Sequence, residues 1–204
     1  YSIKSFLVLG YTFHLYVYNK VSNVPKGTII KDASIIMPKK NIFALKTTFL
    51  PFSDIWRYKL LYDKGGYWVD VDMIALKRFD FKEPFIFSSE RTIQSMNSIY
   101  KSDLPYVPNI GILKAPPKSE FYKEAYEKCM AYNLKHKNDD KLKYMRMLRT
   151  LIKKYNYTKY VKMPKVFCNL DWWHAKRAFT PLKKYPDKYA VKAPTIKSMF
   201  KGPY

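Results

Sequence analysis

The chain ends a helix and begins a strand with almost nothing in between. "FSDIWRYKLLYDKGGYWVDVDM", Phe52–Met73, runs from a helical segment through Gly65-Gly66 straight into aromatic and β-branched residues. Glycine supplies the left-handed residue that closes a helix. No loop separates the two elements, so they must turn tightly and pack as neighbours. Ser53 reads as the N-cap of the helix, with Asp54 near the positive end of its dipole. Tyr67–Val71 reads as the strand. Alternate side chains of a strand share a face. Trp68, Asp70 and Asp72 are therefore expected on one side, and Val69, Val71 and Met73 on the other, with the valines in the core. Like charges about 6.6 Å apart at a strand end repel unless something positive sits with them.

A hard divalent cation fits that requirement. Mg²⁺ or Mn²⁺ takes carboxylate oxygens, keeps several waters and completes its shell with ligand phosphates. The two cysteines, Cys129 and Cys168, are too few for a disulfide framework or a Cys-based zinc site. An Asp-X-Asp alone also occurs as an ordinary pair of solvated acids. Asp54 and Arg57, three apart on the preceding helix, share a face. They form either an i,i+3 ion pair of a few tenths of a kcal/mol or a carboxylate and a guanidinium presented to a polar ligand.

Around this segment the chain alternates elements. Ser2–Leu9 reads as a helix stopped at Gly10, Thr12–Asn19 as a strand and Thr28–Lys31 as a short strand. Pro84–Ser88 and Ile110–Lys114 are further strand candidates. Ser119–Leu134 and Asp140–Tyr155 read as helices, the second with a core stripe of Leu142, Met145, Leu148, Ile152 and Tyr155. With 204 residues, residues 1–204 are expected to form one α/β domain with a mostly parallel mixed sheet flanked by helices. The opening Tyr1 and the apolar run that follows read as part of a longer polypeptide, with other domains expected.

The joint pattern Ser53-Asp54, Arg57, Leu60-Leu61, Gly65-Gly66, Asp70-Val71-Asp72 resembles the DXD glycosyltransferases. The group it resembles is the one with a sugar-binding region containing the DXD motif, which includes mannosyltransferases, α-1,4-galactosyltransferases, capsule enzymes and clostridial-toxin transferase domains. "SIKSFLVLGYTFHLYVYN", "VPKGTIIKDASIIMP", "FDFKEPFIFSSE" and "NIGILKAPPKSEFY" carry a more diffuse likeness. The lysine- and tyrosine-rich composition is similar to that of chlorella-virus glycosyltransferase domains.

The resemblance implies a GT-A fold and retaining transfer of a hexose or deoxyhexose from a nucleoside-diphosphate donor, a UDP-sugar, to a glycan acceptor in polysaccharide biosynthesis. It implies that Asp72 holds Mn²⁺ (or Mg²⁺) against the diphosphate, and that Asp70 contacts ribose or sugar hydroxyls and the metal's water shell. Asp54 and Arg57 would grip the donor sugar, with Trp68 and Asn109 nearby. The family's C-terminal metal ligand has no close match; Asn169–Phe179 is the place to look for it, with Asp171 and His174 of ligand type. Asp171, Trp172, Trp173 and His174 are the candidates for an acceptor or additional site, the tryptophans serving either to stack on a sugar or to fill the core. The family's base-contacting strand would lie before Tyr1.

Two other classes compete. A net charge of +22 favours anionic partners, and a basic chain rich in tyrosine can bind nucleic acid. No zinc-finger, RNP or KH signature is present, lysine dominates over arginine, and no nucleic-acid partner is expected; a solvated lysine-rich surface accounts for the charge equally well. A haloacid-dehalogenase-like phosphatase also has an Asp-X-Asp, but after an aliphatic strand near the start of its domain. The longest apolar run, Phe6–Tyr18, falls short of the about 20 residues a spanning helix needs and has no cleavage site. The expected location is the cytoplasm, the host's for a viral enzyme.

Overall fold

The computed structural model describes residues 1–45, 47–92, 106–135, 142–168 and 190–192. In chain order these form α1 (Ser2–Val8), β1 (His14–Val17), β2 (Ile29–Asp32), α2 (Leu50–Lys64), β3 (Gly66–Val69), β4 (Met73–Ala75), β5 (Ile86–Thr92), β6 (Tyr106–Ala115), α3 (Glu120–Lys135), α4 (Leu142–Lys154), α5 (Pro164–Phe167) and β7 (Ala190–Lys192). The protein is a mixed α/β structure, and no helix among the described residues is long and apolar enough to cross a membrane.

The central sheet has the order β3-β6-β5 and is antiparallel throughout. The pair β4-β7 is antiparallel as well; among the described strands β1-β2 pair in parallel, and Phe87 of β5 makes an isolated parallel bridge to Val161. The expectation of a mostly parallel sheet is thus corrected. Strands covered on both faces read as unbroken apolar runs, and such a run does not encode the direction of its neighbour. The coverage itself is real. Ile86 and Ile112 point into a cluster with Met73 and Phe167, while Phe87 and Leu113 point into a larger one. That larger cluster gathers Ile55, Tyr58 and Leu61 of α2, Phe121, Tyr122 and Cys129 of α3, and Leu148, Leu151 and Ile152 of α4. Of the expected α4 stripe, Leu148 and Ile152 are core, and Tyr155 packs half-buried against the same cluster.

Helix α2 begins at Leu50, three residues before the expected cap at Ser53. Pro51 occupies the first turn, where a missing N–H costs nothing, and the Thr48 hydroxyl accepts from the Leu50 N–H at 3.2 Å. Ser53 lies inside the helix, its N–H donating to the Phe49 carbonyl. Asp54 is accordingly a turn deeper than the sequence suggests. The other end is as expected: Gly65 closes α2, and both Gly65 (φ +64°) and Gly66 (φ +82°) are left-handed.

The two glycines differ in what surrounds them. A Cβ on Gly65 would lie 2.4 Å from the Pro117 nitrogen and 2.9 Å from the Ala115 carbonyl, whereas one on Gly66 would meet nothing within 4 Å. Gly65→Ala should therefore destabilise the protein by well over about 1 kcal/mol, and Gly66→Ala by clearly less, as read by urea unfolding.

Glu124 ties α3 to α4. It accepts from Lys128 at 2.8 Å, Lys154 at 2.7 Å and the Tyr155 hydroxyl at 2.7 Å. Lys128 foremost, then Lys154 and Tyr155, hold its carboxyl down at about 2. A carboxyl whose folded pKa is depressed stabilises above its unfolded pKa and loses that contribution as pH falls. Glu124→Gln should flatten the decline in thermal stability between about pH 4.5, near the unfolded value, and about 2.

Candidate functional site

Arg57 is the centre of the site. Its side chain is almost wholly buried on α2, and Nη1 donates to Asp54 Oδ1 at 2.7 Å. Nη2 reaches Asp70 Oδ1 at 3.3 Å. The guanidinium carbon lies 4.6 Å from the centroid of the Trp68 ring, within cation–π range. Trp68 Nε1 donates to the same Asp70 Oδ1 at 2.8 Å. One oxygen of Asp70 thus takes two donors, and Trp68 and Asp70 do share a side. Trp56, one residue before Arg57, meets Trp68 edge-on at 6.1 Å between ring centroids.

Burial changes the balance at Asp54. Removal from water raises its pKa, Arg57 opposes that rise, and the charge of Asp70 adds to it. The Asp54–Arg57 contact is the i,i+3 pair, but an interior one, so the few tenths of a kcal/mol appropriate to a surface pair do not apply. Arg57 Nε is also buried and has no hydrogen-bond partner among the described residues.

The Asp-X-Asp is a turn. Strand β3 ends at Val69, and the Met73 N–H donates to the Asp70 carbonyl at 3.0 Å. Asp70 and Asp72 therefore sit on a four-residue turn between β3 and β4 and not on an extended strand. Alternation breaks there: Met73 is fully buried, but Val71 is 67% exposed at the tip. Its expected place in the core is corrected, because the turn swings it out. Asp72 is half-buried in the same turn.

Strand β6 underpins the turn. The Asp70 N–H donates to the Gly111 carbonyl at 2.9 Å, one step beyond the Val69–Ile112 pair. A Cβ on Gly111 would lie 3.9 Å from Asp70 Oδ2, 3.7 Å from Met73 Sδ and 3.6 Å from Asn109 Oδ1. Asn109 is buried and turned inward. Its Oδ1 accepts from the Ser88 hydroxyl and from the Gly111 N–H at 3.2 Å, and its Nδ2 donates to Cys168 Sγ at 3.1 Å.

The structure thus brings Asp54, Arg57, Trp68 and Asp70 into direct contact, with Asp72 on the adjoining turn and Asn109 one layer beneath. Asp171, Trp172, Trp173 and His174 lie outside the described residues. Ser88 and Gly111 escape sequence reasoning: a serine at the end of an apolar run and a glycine inside a strand are both unremarkable by themselves. A glycine within a strand does signal a bulge or a close backbone approach, and here it marks both.

Residues 14–92 match the model of the family described as glycosyltransferase sugar-binding region containing DXD motif. This segment, under half of the chain, is similar to that family. No curated protein matches the chain significantly. The DXD region runs from the start of β1 to the end of β5 and contains Asp54, Arg57, Trp68, Asp70 and Asp72, while Asn109 lies beyond it.

No group of three or more His, Cys, Asp or Glu side chains converges as a metal site among the described residues. Asp70 and Asp72 offer the two-carboxylate set that a hard cation shares with ligand phosphates and water.

Removing Arg57 leaves Asp54 buried without its cation. Arg57→Met should cost about 3–5 kcal/mol in urea unfolding. The Asp54→Leu, Arg57→Met double substitution should cost less than the sum of the single changes, since it leaves no lone interior charge at this pair.

Proposed function

We propose that the protein transfers a hexose or deoxyhexose from a UDP-sugar to a glycan acceptor, with divalent-metal dependence and retention of the donor's anomeric configuration. The observation that carries this reading is the Arg57 bridge, which joins Asp54 on α2 to Asp70 on the DXD turn beneath Trp68. A ligand of mixed character suits such a place. Sugar hydroxyls pair with buried carboxylates and guanidinium N–H groups, and a sugar face packs on an indole.

Asp70 and Asp72 would hold the metal, Mn²⁺ or Mg²⁺. When bound, it supplies Lewis-acid neutralisation of the charge that develops on the leaving diphosphate. The protein side chains orient and exclude. Asp70 Oδ1 is committed to Arg57 and Trp68, so Oδ2 is the oxygen that would take a ligand. Asp54 and the buried Arg57 edge would bind sugar hydroxyls, and Trp68 would cover one side of the donor. Asn109, inward and fully engaged, would act on the donor through the backbone it holds.

Thermal-shift titration in the presence of Mn²⁺ tests the reading. UDP and a UDP-hexose or UDP-deoxyhexose should stabilise the protein above the GDP, CDP and ADP counterparts, by about 2.7 kcal/mol at 100 times the dissociation constant. Asp72→Asn should abolish most of that shift without unfolding the chain. Undiminished UDP binding in excess chelator would sink metal dependence. A response to single-stranded DNA alone, lost steeply with salt, would replace the transferase reading with a nucleic-acid one. NMR of the first-formed product decides retention.

A further inference from the structure

Strands β5 and β6 do not stay in step beside the DXD turn. Phe87 pairs with Leu113 and Ser89 with Pro108, so the single residue Ser88 faces the four residues Asn109–Ile112. An irregularity of this kind leaves backbone groups unpaired, bends the strand and re-aims what it carries. Here the displaced residues serve the opposite edge of β6, where Ile112 pairs with Val69 and the Gly111 carbonyl receives the Asp70 N–H at 2.9 Å.

One hydroxyl repairs the gap on the β5 side. Ser88 is completely buried, and its Oγ accepts from the Ile112 N–H at 2.9 Å while donating to Asn109 Oδ1. Asn109 Oδ1 in turn accepts from the Gly111 N–H at 3.2 Å. The hydroxyl therefore holds the bulge on both sides of Gly111, the residue whose carbonyl anchors the first acid of the Asp-X-Asp. An apolar side chain at 88 would leave the Ile112 N–H buried and unpaired and Asn109 short of one donor, a costly outcome inside a core.

We propose that Ser88 is a positioning residue for the DXD turn: it fixes the β6 bulge, and through the Gly111 carbonyl it sets the placement of Asp70. This inference rests on the reading that Asp70 and Asp72 bind a metal–diphosphate. Ser88 is completely buried, so its effect shows in the affinity of the folded protein and in the environment of Gly111, not in stability alone.

The chain offers a convenient reporter, since Ile110-Gly111 is the only Ile-Gly pair in the sequence. Labelling with carbonyl-¹³C isoleucine and ¹⁵N glycine gives one selective NMR signal for the Gly111 amide. In the wild-type protein, UDP with diamagnetic Mg²⁺ should shift that signal saturably. In Ser88→Ala the signal should already be displaced without ligand. UDP affinity of the variant, measured by calorimetry where circular dichroism shows it folded, should fall about tenfold, the scale of one unsatisfied buried group. A folded Ser88→Ala protein with wild-type affinity would overturn the proposal. So would a wild-type Gly111 signal that stays put while UDP saturates the protein, a result that needs no variant to fold. Absence of any Mg²⁺- or Mn²⁺-dependent nucleotide binding by the wild type would remove the transferase reading, and this proposal with it.

Discussion

Everything in the candidate site hangs on a guanidinium out of water. Burying a cation is expensive, and the cost is offset only where several partners meet it with good geometry. Arg57 has Asp54 in front, Asp70 to the side and the Trp68 ring across its face. These partners come from two elements, α2 and the β3–turn segment, which the Gly65-Gly66 junction folds back on one another. The ion network thereby adds side-chain links between helix and turn to the four ladder positions of the short β3. Planarity matters as much as charge: a lysine would offer a point charge and could not address two carboxylates from two nitrogens in one plane.

The sheet behind the site supplies the rigid backing that a charged cluster needs. Ile86, Phe87, Ile112 and Leu113 are all fully buried, and successive residues enter different clusters. A strand packed tightly on both faces cannot shift sideways without opening a void on one of them. Within this stiff frame β5 and β6 slip opposite Ser88 and again between Ser89 and Thr92. The first slip lies where β6 meets the turn, while Leu113–Ala115 pair in register with Gly66–Trp68.

Much of the fold was legible because its signals are local. Glycine in the left-handed region is a steric fact about Gly65 and Gly66, and it marked the junction correctly. The period of α4 placed Leu148 and Ile152 inward. The proximity of Asp54, Arg57, Trp68 and Asp70 followed from spacing plus that junction. What failed depended on partners distant in sequence. The direction of β6 relative to β3 and β5 is a tertiary choice that no residue in the strands announces. Serine is a good cap, so Ser53 reads as the start of α2, whereas Pro51 and Thr48 carry the actual signal. Tyr67–Val71 reads as strand with the two acids at its end, but the hydrogen bond from Met73 to Asp70 closes a turn there. Burial of the Asp54–Arg57 pair was likewise invisible, since the same two residues on an outward face would look identical in the sequence.

The outward Val71 has a practical consequence. Cys129 and Cys168 are both buried, so a Val71→Cys protein would carry its one exposed thiol between the two acids of the Asp-X-Asp. A fluorophore or spin label attached there would sit at the rim of the candidate site without entering the core. It would turn the tip of this turn into an optical or magnetic sensor of whatever approaches Asp70 and Asp72.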